Sequence, residues 1–183
     1  MPDPSTIPPD FPLTLPSDAS ASMHEIPRPL SWGRRVLRRI FHLGFLITRP
    51  LTLGVRAVVL DAQDRVLLVR HTYVPGWYFP GGGVETGESC YEALARELRE
   101  EAALEITAPP HWHGLFFNGH ASRRDHVGLF VIRQFKALGP RLPDREIAEV
   151  RFFPLDDLPK DLAYGHQRRL LEILHGHPPS PTW

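Results

Sequence analysis

Apolar and polar positions change period several times along this chain, and each change marks an element. The run Leu51-Thr-Leu-Gly-Val-Arg-Ala-Val-Val-Leu60 is rich in β-branched residues and predicts a strand. Asp61-Ala-Gln-Asp64 has turn chemistry, and Arg65-Val-Leu-Leu-Val-Arg-His71 predicts the strand returning from it. From Ser89 to Ala103 the period becomes helical, with Tyr91, Leu94, Ala95, Leu98 and Ala102 falling on one face. Further strands are expected near 113–118, 126–135 and 149–155, and a last helix near 165–175 with Leu170, Leu171 and Leu174 on one side. His177-Pro-Pro-Ser-Pro-Thr-Trp183 reads as a loose tail. No internal repeat is present.

The first fifty residues follow other rules. Residues 1–30 carry Pro2, Pro4, Pro8, Pro9, Pro12, Pro16, Pro27 and Pro29, which neither propagate a helix nor join a sheet centre, so a disordered or extended arm is expected. Over 31–50 the pattern predicts an amphipathic helix, with Ser31 as N-cap and Pro50 as its end. Arg34, Arg35, Arg38, Arg39 and His42 share one arc; Trp32, Val36, Leu37, Ile40, Phe41, Leu43 and Ile47 share the other. Such a helix either packs its apolar face on the following domain or makes a peripheral membrane contact through 31–49. The chain thus divides into an arm (1–30), a basic helix (31–50), a mixed α and β domain (51–176) and a tail (177–183).

Charge and cysteine usage narrow the partners. Lys+Arg and Asp+Glu are both 21 in 183 residues, so the net charge is zero, which argues against a nucleic-acid footprint across the surface and against a specific nucleic-acid partner. Cys90 is the single cysteine, which excludes an intramolecular disulfide framework and fits a reducing, cytoplasmic compartment. The start has no charged-then-apolar leader pattern, and no apolar run approaches the roughly 20 residues that span a bilayer. His111, His113, His120 and His126 lie close together but at none of the zinc spacings.

The chemistry concentrates in Gly81-Gly-Gly-Val-Glu-Thr-Gly-Glu88 and Arg96-Glu97-Leu98-Arg99-Glu100-Glu101. The glycines allow tight turns and close ligand approach just before a helix. Glu97 lies three and four residues before Glu100 and Glu101, so the three carboxylates cluster on one helix edge and repel one another. Either solvent and i,i+4 pairing, such as Arg96 with Glu100, offsets that repulsion, or a hard cation does. Oxygen ligands at this spacing suit Mg²⁺ or Mn²⁺ bridging to phosphate.

Gly82, Glu88, Arg96-Glu97-Leu98, Glu100-Glu101 and Leu104 together resemble the signature of the Nudix hydrolases at every defined position but one. The exception is Ala103, where the family has a helix-ending glycine. The Trp77-Tyr78-Phe79-Pro80 lead-in and the stretch from Glu146 to Leu155 also resemble the family, and the likeness spans about 51–175. It implies an α/β/α sandwich around a mixed sheet. It implies Mg²⁺- (or Mn²⁺-) dependent attack of water on a diphosphate that joins a nucleoside to a group X, a small nucleotide-like substrate. Glu97, Glu100 and Glu101 would hold metal, with Glu100 or Glu101 as base. Gly82 would add a carbonyl ligand or a phosphate-facing amide. Glu146, with Glu149 as competitor, would complete the metal set, and Arg96 would pair with Glu88. Arg56, His71, Trp77, Phe117, Asn118, Arg123 and Arg124 are candidates for reading X, although packing is the favoured reading of Trp77 and Phe117, and a charged loop that of Arg123-Arg124. The resemblance allows a homodimer. The alternative on the same fold is a non-catalytic nucleotide-sensing module.

Overall fold

The computed structural model describes residues 50–183. The arm expected over 1–30 and the helix expected over 31–50 lie outside the described residues, Pro50 excepted. Seven strands and two helices follow: β1 (Thr52–Val59), β2 (Val66–His71), α1 (Cys90–Ala102), β3 (Leu104–Ile106), β4 (His111–Phe117), β5 (Asp125–Ile132), β6 (Phe135–Ala137), β7 (Ile147–Phe153) and α2 (Tyr164–His175).

The central sheet is mixed, in the order β1-β5-β4, with β1 parallel to β5 and β4 antiparallel to it. Alternation along β1 gives each face its own core. Val55, Ala57 and Val59 point to α1 and meet Ala93, Leu94 and Leu98, together with Phe130 and Ile132 of β5. Val58 and Leu60 point the other way and join Phe79, Phe116, Leu129 and Leu170, the last from α2. The two helices therefore cover opposite faces, and the fold is the mixed α/β sandwich expected.

Three local expectations change. Strands 51–60 and 65–71 do not form a hairpin ladder: they share one bridge, Leu60 to Val66, and β2 pairs instead with β7 in a second sheet. Buried on nearly every residue, β2 has no solvent face to hold it beside β1. The strand expected to 135 ends at Ile132; Phe135–Ala137 turns away to pair with β3, a short strand that periodicity does not detect.

The third change concerns the tail, which is held to the domain. Phe117 donates its N–H to Pro181 O, and Trp183 donates to Phe117 O, both at 3.0 Å. These bonds satisfy the outer edge of β4. Arg169, fully buried on α2, donates Nη1 to Thr182 O at 3.0 Å, pairs with Glu172 at 2.7 Å and lies over the Phe116 ring. Among the described residues no helix is long and apolar enough to cross a membrane.

Helix α1 starts with a capping box: Ser89 and Glu92 each accept the other's backbone N–H. It ends at Ala103, which keeps the left-handed turn at φ 52° and bonds its N–H to Arg99 O. A Cβ in that region strains the backbone by about 1 kcal/mol. Ala103→Gly is therefore expected to raise the melting temperature by about 1–3 °C. An unchanged or lower melting temperature in thermal denaturation would show that the turn is unstrained.

Candidate active site

The glycine loop runs beside β1. Val55 N–H donates to Gly82 O at 2.8 Å and Ala57 N–H to Pro80 O at 3.0 Å. At Gly81, φ is +135° and a Cβ would overlap the Val55 carbonyl, so only glycine fits. A Cβ on Gly82 would overlap the Glu97 carboxylate, which shows how closely loop and helix meet. Arg96 fastens them: Nε and Nη2 form a fork on Glu88, both bonds at 3.0 Å, and Nη2 also donates to Gly83 O at 3.0 Å. Its Nη1 lies 2.7 Å from Glu97 Oε1 and 3.5 Å from Glu100 Oε2.

Glu101 is 5% exposed and its Oε2 accepts the Gly81 N–H at 2.7 Å. Its Oε1 faces His71 Nε2 at 3.8 Å, beyond hydrogen-bond length. Burial raises its carboxyl to about 7; the Gly81 N–H and Arg56 oppose the rise, and Glu97 and Glu146 add to it. Glu97, Glu100, Glu101 and Glu146 line one cavity of about 240 Å³ with Arg141 and Asp144. Among the described residues, no three acidic or imidazole groups already converge at metal-ligand spacing. The donor set nevertheless fits Mg²⁺ or Mn²⁺: the ligands are hard oxygens, the deepest carboxylate lacks a neutralising partner, and such ions take one or two carboxylates plus phosphate and water.

Behind the loop lies a second, larger cleft of about 570 Å³. Arg56 and Gly82 line it, and Gly82 also lies against the Glu97 carboxylate. Arg56 donates Nη1 to Phe79 O at 3.0 Å and to Gly81 O. Asp125, also in its lining, accepts from Thr52 Oγ1 at 2.7 Å and from Asn118 Nδ2 at 2.8 Å. Tyr78, His166 and Trp183 supply aromatic lining. His166 stands edge-on to Tyr78 and Trp183, with ring centres 5.2 and 5.1 Å away, and neither of its nitrogens has a partner.

Residues 50–173 match the NUDIX domain family. The chain belongs to the Nudix hydrolases. It is 32% identical over 120 residues to the ADP-ribose pyrophosphatase of Methanocaldococcus jannaschii, covering 63% of this chain and 69% of that one. It is also 32% identical over 112 residues to the NAD-capped RNA hydrolase NudC of Stutzerimonas stutzeri, covering 56% of this chain and 36% of that protein. A solved NUDIX hydrolase from Nitrosomonas europaea shares its fold, with a TM-score of 0.59, 20% identity, and coverage of 70% of this chain and 93% of that one. Nudix hydrolases act on phosphoanhydride bonds.

The Nudix carboxylates and Glu146 meet in one cavity; Arg56 and Asn118 reach the cleft, and His71 lies beneath Glu101. Other candidates stand elsewhere. Trp77 is 4% exposed and packs edge-on against Phe153, so it belongs to the core. Phe117 lies against His126, on the sheet face turned from the cleft that Val127 lines. Arg123 is exposed and outside the cleft lining, and Arg124 contributes its backbone carbonyl to Thr52. The Gly82 carbonyl accepts the Val55 N–H at 2.8 Å, which fixes the loop against β1. Glu149 pairs with Arg70 at 2.6 Å, outside the carboxylate cavity. Sequence reading missed Tyr78, Asp125, His166 and Trp183, which reach the cleft only through tertiary packing. Arg141 and Asp144 were also missed, although Pro143-Asp144 carries a turn signal.

Burial holds His166 well below the usual histidine value, helped by Arg56 and His71. Its proton therefore binds the unfolded chain preferentially. Stability is unaffected above about pH 6.5 and falls below it, by at most about 1.4 kcal/mol per pH unit for this group. In His166→Phe, the loss of melting temperature between pH 7.5 and 5.5 is expected to shrink. An unchanged loss would place the acid sensitivity elsewhere.

Proposed function

We propose that this chain is a divalent-metal-dependent pyrophosphohydrolase whose substrate is a diphosphate linking a nucleoside to a second group. The observation that carries this is the nearness of the two cavities at the glycine loop: Gly82 lines a cleft large enough for a nucleoside and lies against Glu97 of the four-carboxylate cavity. The relatives named for ADP-ribose and NAD-capped RNA support the class, since both substrates contain such a diphosphate.

Glu97, Glu100, Glu101 and Glu146 would hold the cation, which when bound neutralises phosphate charge and lowers the pKa of bound water. The chain's own residues do the rest. Gly81 N–H keeps Glu101 oriented, and Arg96 braces Glu97 while gripping the loop through Glu88. Arg56 stands where a phosphate entering from the cleft would pass. Glu100 or Glu101 takes the proton of the attacking water; the new P–O bond forms as the bridging anhydride P–O bond breaks, leaving two phosphorylated products. The Asp125 carboxylate in the cleft lining repels further phosphate and favours a hydroxyl- or amine-bearing ring there.

Product release would be followed with Mg²⁺ across ADP-ribose, NADH, dinucleoside polyphosphates, nucleotide sugars and nucleoside triphosphates. Turnover on at least one class is expected, falling by about 10²–10³ or more in Glu101→Gln. Absence of turnover on all classes by folded protein that still binds nucleotide would contradict the proposal and favour a sensing module. Asp125→Asn is expected to raise KM for the preferred substrate several-fold with kcat little changed; an unaltered KM would remove Asp125 from recognition.

A further inference from the structure

Glu146 differs from the other carboxylates of its cavity: it stands on the loop between β6 and β7, not on α1. Placed beside three other carboxyl groups, its side chain has an electrostatic reason to leave. What opposes departure lies outside the signature. Asp144 Oδ1 accepts the backbone N–H groups of Glu146 and Ile147, each at 2.8 Å. Asp144 Oδ2 accepts from Arg141 Nη2 at 2.6 Å. Arg141 then donates Nε to the Glu100 carbonyl at 2.8 Å, in the last turn of α1, and Nη1 to Leu142 O. On the opposite side, Thr72 N–H donates to Glu146 O at 2.9 Å and Thr72 Oγ1 to Arg145 O at 2.6 Å. Both backbone polar groups of Glu146 are thus bonded, one side leading to the helix that carries the other carboxylates. The Arg141 side chain is only 17% exposed, although it belongs to a loop with Gly139, Pro140 and Pro143.

We propose that Arg141 and Asp144 are positioning residues that clamp Glu146 against the carboxylates of α1, so that it completes the set holding the divalent cation. The inference rests on the reading of Glu146 given above. The clamp is a specific arrangement: an arginine fork anchored on a helix carbonyl, and a carboxylate capping two successive amides. Its purpose is separable from charge. Arg141 lines an acidic cavity, so removing its positive charge should strengthen cation binding by electrostatics alone. If the clamp matters more, removing Arg141 weakens binding.

The test is Mn²⁺ binding to the full chain, with the metal alone, by titration calorimetry. Amide hydrogen exchange over residues 138–147 supplies a second readout. Arg141→Gln and Asp144→Ala are each expected to weaken Mn²⁺ about tenfold, as loss of partners behind a metal ligand typically does. Exchange at Glu146 and Ile147 should quicken while α1 stays protected. Glu146→Gln should weaken Mn²⁺ comparably, and the Asp144→Ala/Glu146→Gln double variant should lose no more than about twofold beyond it. Tighter or unchanged binding in Arg141→Gln, or losses that multiply in the double variant, would overturn the clamp. If Glu146→Gln binds Mn²⁺ as the parent does, the fourth-ligand reading fails and the clamp's stated purpose with it. Loss of Mn²⁺ in Glu101→Gln would then show that the cavity itself still binds metal.

Discussion

The carboxylate of Glu101 lies at the junction of core and site, 5% exposed, with its Oε2 bonded to the Gly81 N–H at 2.7 Å. Everything around it follows from accommodating that group. Burial raises its carboxyl to about 7, corresponding to roughly 3 kcal/mol against ionisation. One N–H and the nearby Arg56 offset only part of the desolvation. The loop must come close enough for its amide to reach the acid, which requires glycine at 81, where a side chain would strike β1. It must also stay there, which explains the Arg96 fork on Glu88 and its bond to Gly83 O. A divalent cation beside Glu101 would supply the remaining compensation.

The same constraint organises the molecule outward. Helix α1 needs a flat apolar support to hold its acidic edge at a fixed height, and Val55, Ala57 and Phe130 provide one. The opposite sheet face supports α2, whose buried Arg169 draws residues 180–183 against β4. Trp183 thereby becomes a wall of the cleft, although it lies far in sequence from every other cleft residue except those of α2. The glycine loop touches both cavities: Gly82 lines the cleft, and the Gly81 N–H holds Glu101 of the carboxylate cavity.

Much of this was legible in the residues. β1, β2, β4, β5 and β7 were foreshadowed by their apolar and β-branched runs, and α1 and α2 by helical period. The carboxylates were legible because their chemistry is local: a helix fixes i,i+3 and i,i+4 neighbours whatever the rest of the chain does. The partner of β2 was not, since a strand buried on both faces carries no alternation to reveal its neighbour. Trp77 illustrates the ambiguity of an aromatic residue, for which packing was the favoured reading and the core is the place the structure gives it. His166 and Trp183 reach the cleft through packing across distant segments, and no local pattern announces that. Asp144 was concealed differently, since its role depends on meeting an arginine three residues earlier and two amides just after it.

In the proposed function the carboxylate cavity and the cleft act as one site, with the diphosphate bridging them. The most direct measurement is the phosphorus-31 relaxation of α,β-methylene-ADP, a hydrolysis-resistant diphosphate, bound to the full chain with Mn²⁺. Strong paramagnetic broadening of both phosphorus signals is expected in the parent protein, and its loss in Glu101→Gln. Bound nucleotide whose phosphorus signals stay sharp in the parent protein would contradict the account, because cation and diphosphate would then occupy separate places.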